Sequence, residues 1–160
     1  MRQRFDIQLR IGQAPISELY INPKSKNALD QLIAALKEIY CNGEYNNKIF
    51  CIIERHMSSI DRNNGRPGMN LWTVFVPAQV RMCPGASYDT LHNLSNNHIL
   101  LRKLLGIHEI FGEESYVFEY QNIYDNISKL SDAMLTEIND VIVTFDHREV
   151  FKKKKPLPCA

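Results

Sequence analysis

The chain has 160 residues and a formal net charge of +1, which is enough for one domain, or two small ones, with a real hydrophobic core. Hydrophobic residues make up 44% and charged residues 23% of the sequence, a composition typical of globular proteins rather than disordered chains. No apolar run reaches the ~18–20 residues of a membrane span, and the N-terminus lacks a signal-peptide core. The four cysteines show neither a CxxC pair nor zinc-ligand spacing. We therefore expect a cytoplasmic protein with reduced thiols.

Charge is distributed unevenly along the chain. Residues 1–106 carry a net charge of +5, residues 107–151 a net charge of −8, and residues 152–160 a net charge of +4. A basic half beside an acidic segment suggests that one part faces a polyanion. Ordinary solvated surface is the alternative interpretation.

Residues 1–64 are predicted to form an N-terminal arm followed by a helical hairpin. Apolar side chains alternate from Phe5 to Ile11, which predicts a short β strand, with a short helix as the alternative. Apolar residues then recur at helical spacing over 25–40 and again over 45–59. Asn42-Gly43 separates the two helices, and so short a connection predicts an antiparallel pair.

Residues 65–107 contain three helical stripes separated by turn signals. The first, over 70–82, contains Pro77, which predicts a kink or two short helices because proline removes a backbone N–H. Ser87 is placed to cap the second helix, Asn96-Asn97 to break the pattern, and Gly106 to end the third helix. Two short helices joined by about three or four residues have the size of a helix-turn-helix unit.

The candidate DNA contacts are polar residues off the apolar face of this unit. Asparagine can bond adenine edges, lysine and arginine can bond guanine or phosphate, and a recognition helix presents its N-terminal residues to the major groove. The candidates are Asn96, Asn97, His98, Arg102 and Lys103. Exposure at a helix start is the alternative role for His98. Arg66, between two glycines, suits phosphate contact, and capping of a neighbouring helix is its alternative role.

The remainder is predicted to be an acidic connector, two helices and a basic tail. Residues 108–119 hold four glutamates, which we interpret as a solvated connector, with a metal site as the alternative. Helices are predicted over 120–127 and, after the capping residue Ser131, to about Phe145, and packing or self-association is their expected role. The tail, 152–160, opens with four residues that can neutralise phosphates without reading sequence. They are Lys152, Lys153, Lys154 and Lys155.

The combined motifs resemble the N-terminal domain of bacterial insertion-sequence (DDE-type) transposases. The matching pieces are the glycine-rich loop Gly65–Met69, the Ser87-Tyr88-Asp89 start of a helix with Leu91, and Arg102 followed by Leu105-Gly106. The flanking sequences are also similar to those of one branch of the family. The resemblance covers nearly the whole chain and implies a mainly α-helical, DNA-binding fold.

The resemblance implies that the chain binds double-stranded DNA at the terminal inverted repeats of a mobile element, in the bacterial nucleoid. A catalytic domain of ribonuclease-H-like fold would begin about where this sequence stops, at Ala160. Its three carboxylates would hold a divalent metal such as Mg, so we expect no catalytic residue, cofactor or metal site within these 160 residues. The alternatives are a regulator that binds element ends without cutting them and a helical self-association module, with a homo-oligomer expected for the latter.

Overall fold

The computed structural model describes residues 2–5, 13–57, 68–82, 85–108 and 114–152, with side chains described as far as residue 145. Within these ranges the chain forms seven α-helices, one short 3-10 helix and no β strand, which confirms the predicted mainly α fold. The 3-10 helix spans Ile16–Glu18. The α-helices are α1 (Ala28–Cys41), α2 (Gly43–Met57), α3 (Leu71–Met82), α4 (Tyr88–Asn97), α5 (Ile99–Leu104), α6 (Tyr120–Ile127) and α7 (Asp132–Lys152).

Helix α3 lies at the centre of the molecule. Every residue from Leu71 to Val80 is buried. The Trp72 ring is surrounded by other aromatic rings at centroid distances of 5.0–6.4 Å, and its Nε1 donates a hydrogen bond of 2.9 Å to the Leu104 carbonyl. These rings are Phe5, Tyr40, Phe50 and Phe75. Trp72 therefore connects the N-terminal segment, α1, α2 and α5 to one helix.

Helix α3 continues through Pro77 without a break, so of the two alternatives that the sequence predicted, a kink or two short helices, the second is wrong. Proline has no N–H to donate to the carbonyl four residues earlier, Thr73, so the helix loses one backbone hydrogen bond. In proteins most helical stability comes from tertiary packing. The burial of both Pro77 and its neighbours favours a continuous helix despite that loss.

The first turn of α3 is capped by the N-terminal segment of the chain. The Leu71 N–H donates to the Gln3 carbonyl at 2.9 Å and the Trp72 N–H to the Arg4 carbonyl at 3.1 Å. The Thr73 N–H donates to Asn70 Oδ1 at 2.7 Å. These bonds satisfy N–H groups that have no partner inside the helix. Residues 2–5 form no strand, and the rest of the predicted β arm lies outside the described residues.

The predicted helical pair at 25–59 is present as α1 and α2, which pack against each other with Asn42 between them. Asn27 caps α1 by accepting a hydrogen bond from the Leu29 N–H at 2.9 Å. Helix α7 runs antiparallel along α2, because Tyr45 at the start of α2 contacts Phe145 near the described end of α7. At the other end, Arg55 and His56 pair with Glu137.

The buried side chains form one core cluster that reaches from Ile16 to Ile138. This cluster draws on each of the first three predicted segments, 1–64, 65–107 and 108–151. The last of these segments contributes Phe118, which precedes α6, and Ile123, Met134 and Ile138 from α6 and α7. Among the helices that the structure describes, none combines the length and apolar character that a membrane crossing needs.

Candidate nucleic-acid interface

The predicted two-helix unit is present as α4 and α5. Ser87 caps α4 as predicted, since its Oγ accepts a hydrogen bond from the Thr90 N–H at 3.2 Å. The helices are separated by His98 alone, whereas the sequence predicted a break at Asn96-Asn97 and a longer turn. His98 caps α5, because its Nδ1 accepts from the Leu101 N–H at 3.3 Å. The side-chain cap from His98 therefore lets α5 begin directly after α4 ends.

Gly106 ends α5 as predicted. Its φ of 73° lies in the left-handed region that favours glycine. The Gly106 N–H donates to the Lys103 carbonyl at 3.0 Å, and the Ile107 N–H donates to the Arg102 carbonyl at 2.9 Å. This pair of bonds is the Schellman pattern, which satisfies carbonyls left free at a helix end.

Arg102, a predicted DNA contact, lies inside the protein with 5% of its surface exposed. Its Nη2 donates to Ser115 Oγ and, at 3.0 Å, to the Tyr116 carbonyl. Its Nη1 lies 3.5 Å from the Ser95 carbonyl, at the limit of a hydrogen bond. The guanidinium therefore holds the segment that precedes α6, and its described donors point into the chain rather than toward solvent.

Asn96, a second predicted contact, binds the backbone of Phe118. Its Nδ2 donates to the Phe118 carbonyl at 3.0 Å, and its Oδ1 accepts from the Phe118 N–H at 2.8 Å. His92 Nε2 is 2.9 Å from the same carbonyl, which can only accept, so this ring nitrogen carries the proton. We call His92, Asn96 and Arg102 the clip. The clip holds the backbone at and before Phe118, and the Phe118 side chain is only 1% exposed, so the predicted solvated connector contributes Phe118 to the core.

The other predicted contacts divide into two groups. Asn97 and Lys103 are exposed and His98 is partly exposed, so the α4–α5 unit keeps three of its five candidates at the surface. Ile99, between them, is also exposed. Arg66 and Lys153, Lys154 and Lys155 lie outside the described residues, and Lys152 is the last residue of α7.

The positive charge of Lys103 also acts on its neighbourhood. Burial lowers the pKa of His108 below its ordinary value of 6.5, and the charge of Lys103 lowers it further. His108 Nε2 is buried and has no hydrogen-bond partner among the described residues. With Arg102 buried and the pKa of His108 lowered, Lys103 is the exposed cation in the last turn of α5.

The alternative metal site in the acidic connector finds no support in the described residues. Glu114 and Glu119 are exposed, and Glu109 and Glu113 lie outside the described ranges. In the part of the chain that the structure covers, no group of three or more histidine, cysteine, aspartate or glutamate side chains converges to hold a metal ion.

One feature that the sequence-based prediction missed is a row of rings between α4 and α6. The centroid of Tyr88 lies 4.8 Å from that of Tyr124, and the centroid of His92 lies 5.9 Å from that of Tyr120. Tyr120 and Tyr124 are nearly parallel, with centroids 6.5 Å apart. We call these four residues the aromatic row. The signal was the four-residue spacing of rings in both helices, which places each pair on one helix face.

Comparison of the chain with protein-family models, with curated proteins and with solved structures found no match.

Proposed function

We propose that this chain is the DNA-binding N-terminal part of an insertion-sequence transposase and recognises the terminal inverted repeats of a mobile element. The observation that carries the proposal is the α4–α5 unit. Its apolar residues Leu91, Leu101 and Leu104 are buried, and it leaves Asn97 and Lys103 exposed on adjoining helices. Two of the three motifs that resemble the transposases, Ser87-Tyr88-Asp89 with Leu91 and Arg102 with Leu105-Gly106, fall on the same stretch of chain.

In this proposal the candidate residues have two different roles. Asn97 and His98 read base edges, and Lys103 binds a phosphate or guanine. Arg66 and Lys152–Lys155 bind phosphates without reading sequence. The clip residues Asn96 and Arg102 act indirectly, because they hold the unit to Phe118, which is part of the core, and to the neighbouring Tyr116.

The proposed setting is the bacterial nucleoid, with the chain placing a metal-dependent catalytic domain on the element ends. These 160 residues alone would then bind DNA without cutting it. The same binding activity would allow a product of this length to block the ends against an intact enzyme, which is the regulatory alternative.

The test begins with selection of duplexes from a random library by the folded chain, followed by fluorescence anisotropy on the enriched sequence across a salt series. Asn97→Ala with Lys103→Ala is expected to weaken binding about tenfold or more, because a good base contact contributes ~1–3 kcal/mol. Loss of Lys103 should also reduce the salt slope by about one. Lys26→Ala removes an equal charge from an exposed position before α1 and serves as the matched control.

Two results would contradict the proposal. A folded chain that enriches no sequence would overturn specific end recognition. A stable dimer in sedimentation equilibrium, from a chain that binds no duplex, would favour the self-association module instead.

A further inference from the structure

The aromatic row has an exposed surface that the proposed DNA contacts do not use. Tyr120 is 39% exposed and Tyr124 is 43% exposed, and Tyr116 and Val117, just before α6, are more exposed still. His92 and Tyr88 line the row from the α4 side. Exposed apolar and aromatic side chains that lie together mark interaction sites more often than single ones do.

One end of the row already holds a cation. The Arg81 guanidinium carbon lies 4.3 Å from the centroid of the Tyr88 ring, within the ~6 Å range of a cation–π interaction. Tyr88 in turn contacts Tyr124 at 4.8 Å. The rings beyond Tyr88 have the same chemistry, and the described residues place no Lys or Arg over Tyr120 or Tyr124.

Carboxylates outnumber basic groups around the row, where Arg81 lies over Tyr88 and Arg2 bonds Asn126 of α6. Residues 114–127 contain Glu114, Glu119 and Asp125 and no lysine or arginine, and α4 contributes Asp89 as its only charged residue. All four carboxylates are exposed. A nucleic acid strand could stack its bases on tyrosines, but these carboxylates would repel its phosphates. A segment that carries lysine or arginine can bind the ring faces through cation–π contacts and the carboxylates through ion pairs.

We infer that the aromatic row with its flanking carboxylates is a docking surface for a Lys- or Arg-rich segment of another protein chain. The cationic side chains lie over Tyr120 and Tyr124, continuing the arrangement that Arg81 makes with Tyr88, and further cations of the segment pair with Glu119 and Asp125. The row includes neither Asn97 nor Lys103, and the inference does not depend on the proposed function.

The experiment measures binding of a fluorescein-labelled octapeptide of alternating arginine and glycine to the full chain by anisotropy. The control peptide replaces each arginine by citrulline, which keeps the planar shape and removes the charge. The arginine peptide is expected to bind at least tenfold more tightly. Tyr120→Leu with Tyr124→Leu should weaken it about fivefold or more, whereas Tyr120→Phe with Tyr124→Phe, which keeps both rings, should bind like the unmodified chain.

A second pair of variants separates local from general charge effects. Glu119→Gln with Asp125→Asn should weaken peptide binding, and Asp132→Asn with Asp140→Asn, which removes two exposed carboxylates from α7, should not. Circular dichroism checks that each variant folds. None of the tyrosine variants should change affinity for the selected DNA duplex, so failure here is distinguishable from failure of the proposed function.

Three results would overturn the inference. Equal binding of the arginine and citrulline peptides would remove the cation requirement. Peptide binding that survives the loss of both rings would place it elsewhere on the chain. Tighter binding of a labelled (dT) oligonucleotide, lost in the Tyr→Leu variant, would show that the row stacks nucleic acid bases instead.

Discussion

Arg102 and Lys103 are adjacent, carry the same charge and lie in opposite environments. Arg102 is almost fully buried with its described donors on Ser115, Tyr116 and Ser95, whereas Lys103 is exposed. A hydrogen bond from a charged group contributes about 1.5–3 kcal/mol to stability. An exposed side chain away from such features contributes about 0.5 kcal/mol or less.

Replacing Arg102 by methionine should therefore lower the free energy of unfolding by about 2–3 kcal/mol, because the guanidinium bonds to the segment before α6 are lost. Lys103→Met is the matched control and should change it by less than about 0.5 kcal/mol. Urea denaturation of both variants measures the difference. Equal stabilities of the two variants would show that the clip contributes nothing through Arg102.

The ion pair between Arg4 and Glu54 makes the free energy of unfolding depend on pH. Arg4 Nε and Nη2 donate to the two carboxylate oxygens of Glu54 at 2.7 and 2.8 Å. The hydrogen bond from Arg4 lowers the pKa of Glu54 below its ordinary value of 4.5, against the opposing effect of burial. Arg4 stays charged throughout this range.

Because the folded pKa is the lower one, the stabilisation is fully present above about pH 4.5 and is lost as the pH falls through the folded pKa. Glu54→Gln should therefore be less stable than the unmodified chain near neutral pH, and the gap should narrow in acid. Chemical denaturation at a series of pH values measures this gap. Arg55 and His56 also lower the pKa of Glu137, which gives the protein a second pH-dependent contribution. Because both proteins share that contribution, the Glu54→Gln variant is compared with the unmodified chain at each pH. A gap that stays constant with pH would contradict the assignment.

At the scale of single elements, the short helix α5 depends on its C-terminal turn. With six residues it has few internal hydrogen bonds. The turn at Gly106, which has a φ of 73°, adds two more at its end, donated by the Gly106 and Ile107 N–H groups. An alanine at this φ is strained by ~1–2 kcal/mol. Gly106→Ala should therefore lower the melting temperature by roughly 2–8 °C.

Gly43→Ala is the matched control for that change. Gly43 begins α2 without a positive φ, and a Cβ there would meet no atom within 4 Å. This substitution should leave the melting temperature unchanged or raise it, because alanine restricts the unfolded chain and favours a helix. Thermal unfolding followed by circular dichroism compares the two. An equal loss at both positions would mean that the φ of Gly106 is not what stabilises α5.

Local chemistry explains which elements the sequence could predict. Ser87, Gly106 and Ser131 cap or end helices through atoms a few residues away, and the bounds predicted for α6 match the structure. The local rule that proline ends a helix fails at Pro77, where every helix residue from Leu71 to Val80 is buried. The continuity of α3 therefore depends on packing partners distant in sequence, which periodicity cannot reveal.

At the scale of the whole molecule, the position of the two-helix unit was predictable from the sequence, but the contacts of its polar side chains were not. The pattern placed the two-helix unit correctly and left five polar residues off its apolar face. Two of those five, Asn96 and Arg102, instead bind residues 115–118, which come from a separate segment. Likewise the alternation at Phe5 gave no sign that its ring would contact Trp72. Such contacts form only when the chain folds back and brings together residues from separate segments, which a local pattern does not show.

The distribution of charge gives the final prediction at this scale. If Lys152–Lys155 bind phosphates beside the α4–α5 unit, each lysine releases about 0.9 counterion from duplex DNA. Replacing Lys152 and Lys153 by glutamine should then reduce the slope of log affinity against log salt by about two, with little change in sequence preference. Anisotropy titrations of the selected duplex across a salt series measure that slope.

Lys24→Gln with Lys26→Gln removes the same total charge from two exposed positions before α1 and should leave the slope nearly unchanged. Equal reductions in both double variants would mean that the duplex responds to the net charge of the whole chain. A reduction confined to Lys152 and Lys153 would instead place the duplex across both the two-helix unit and the end of α7.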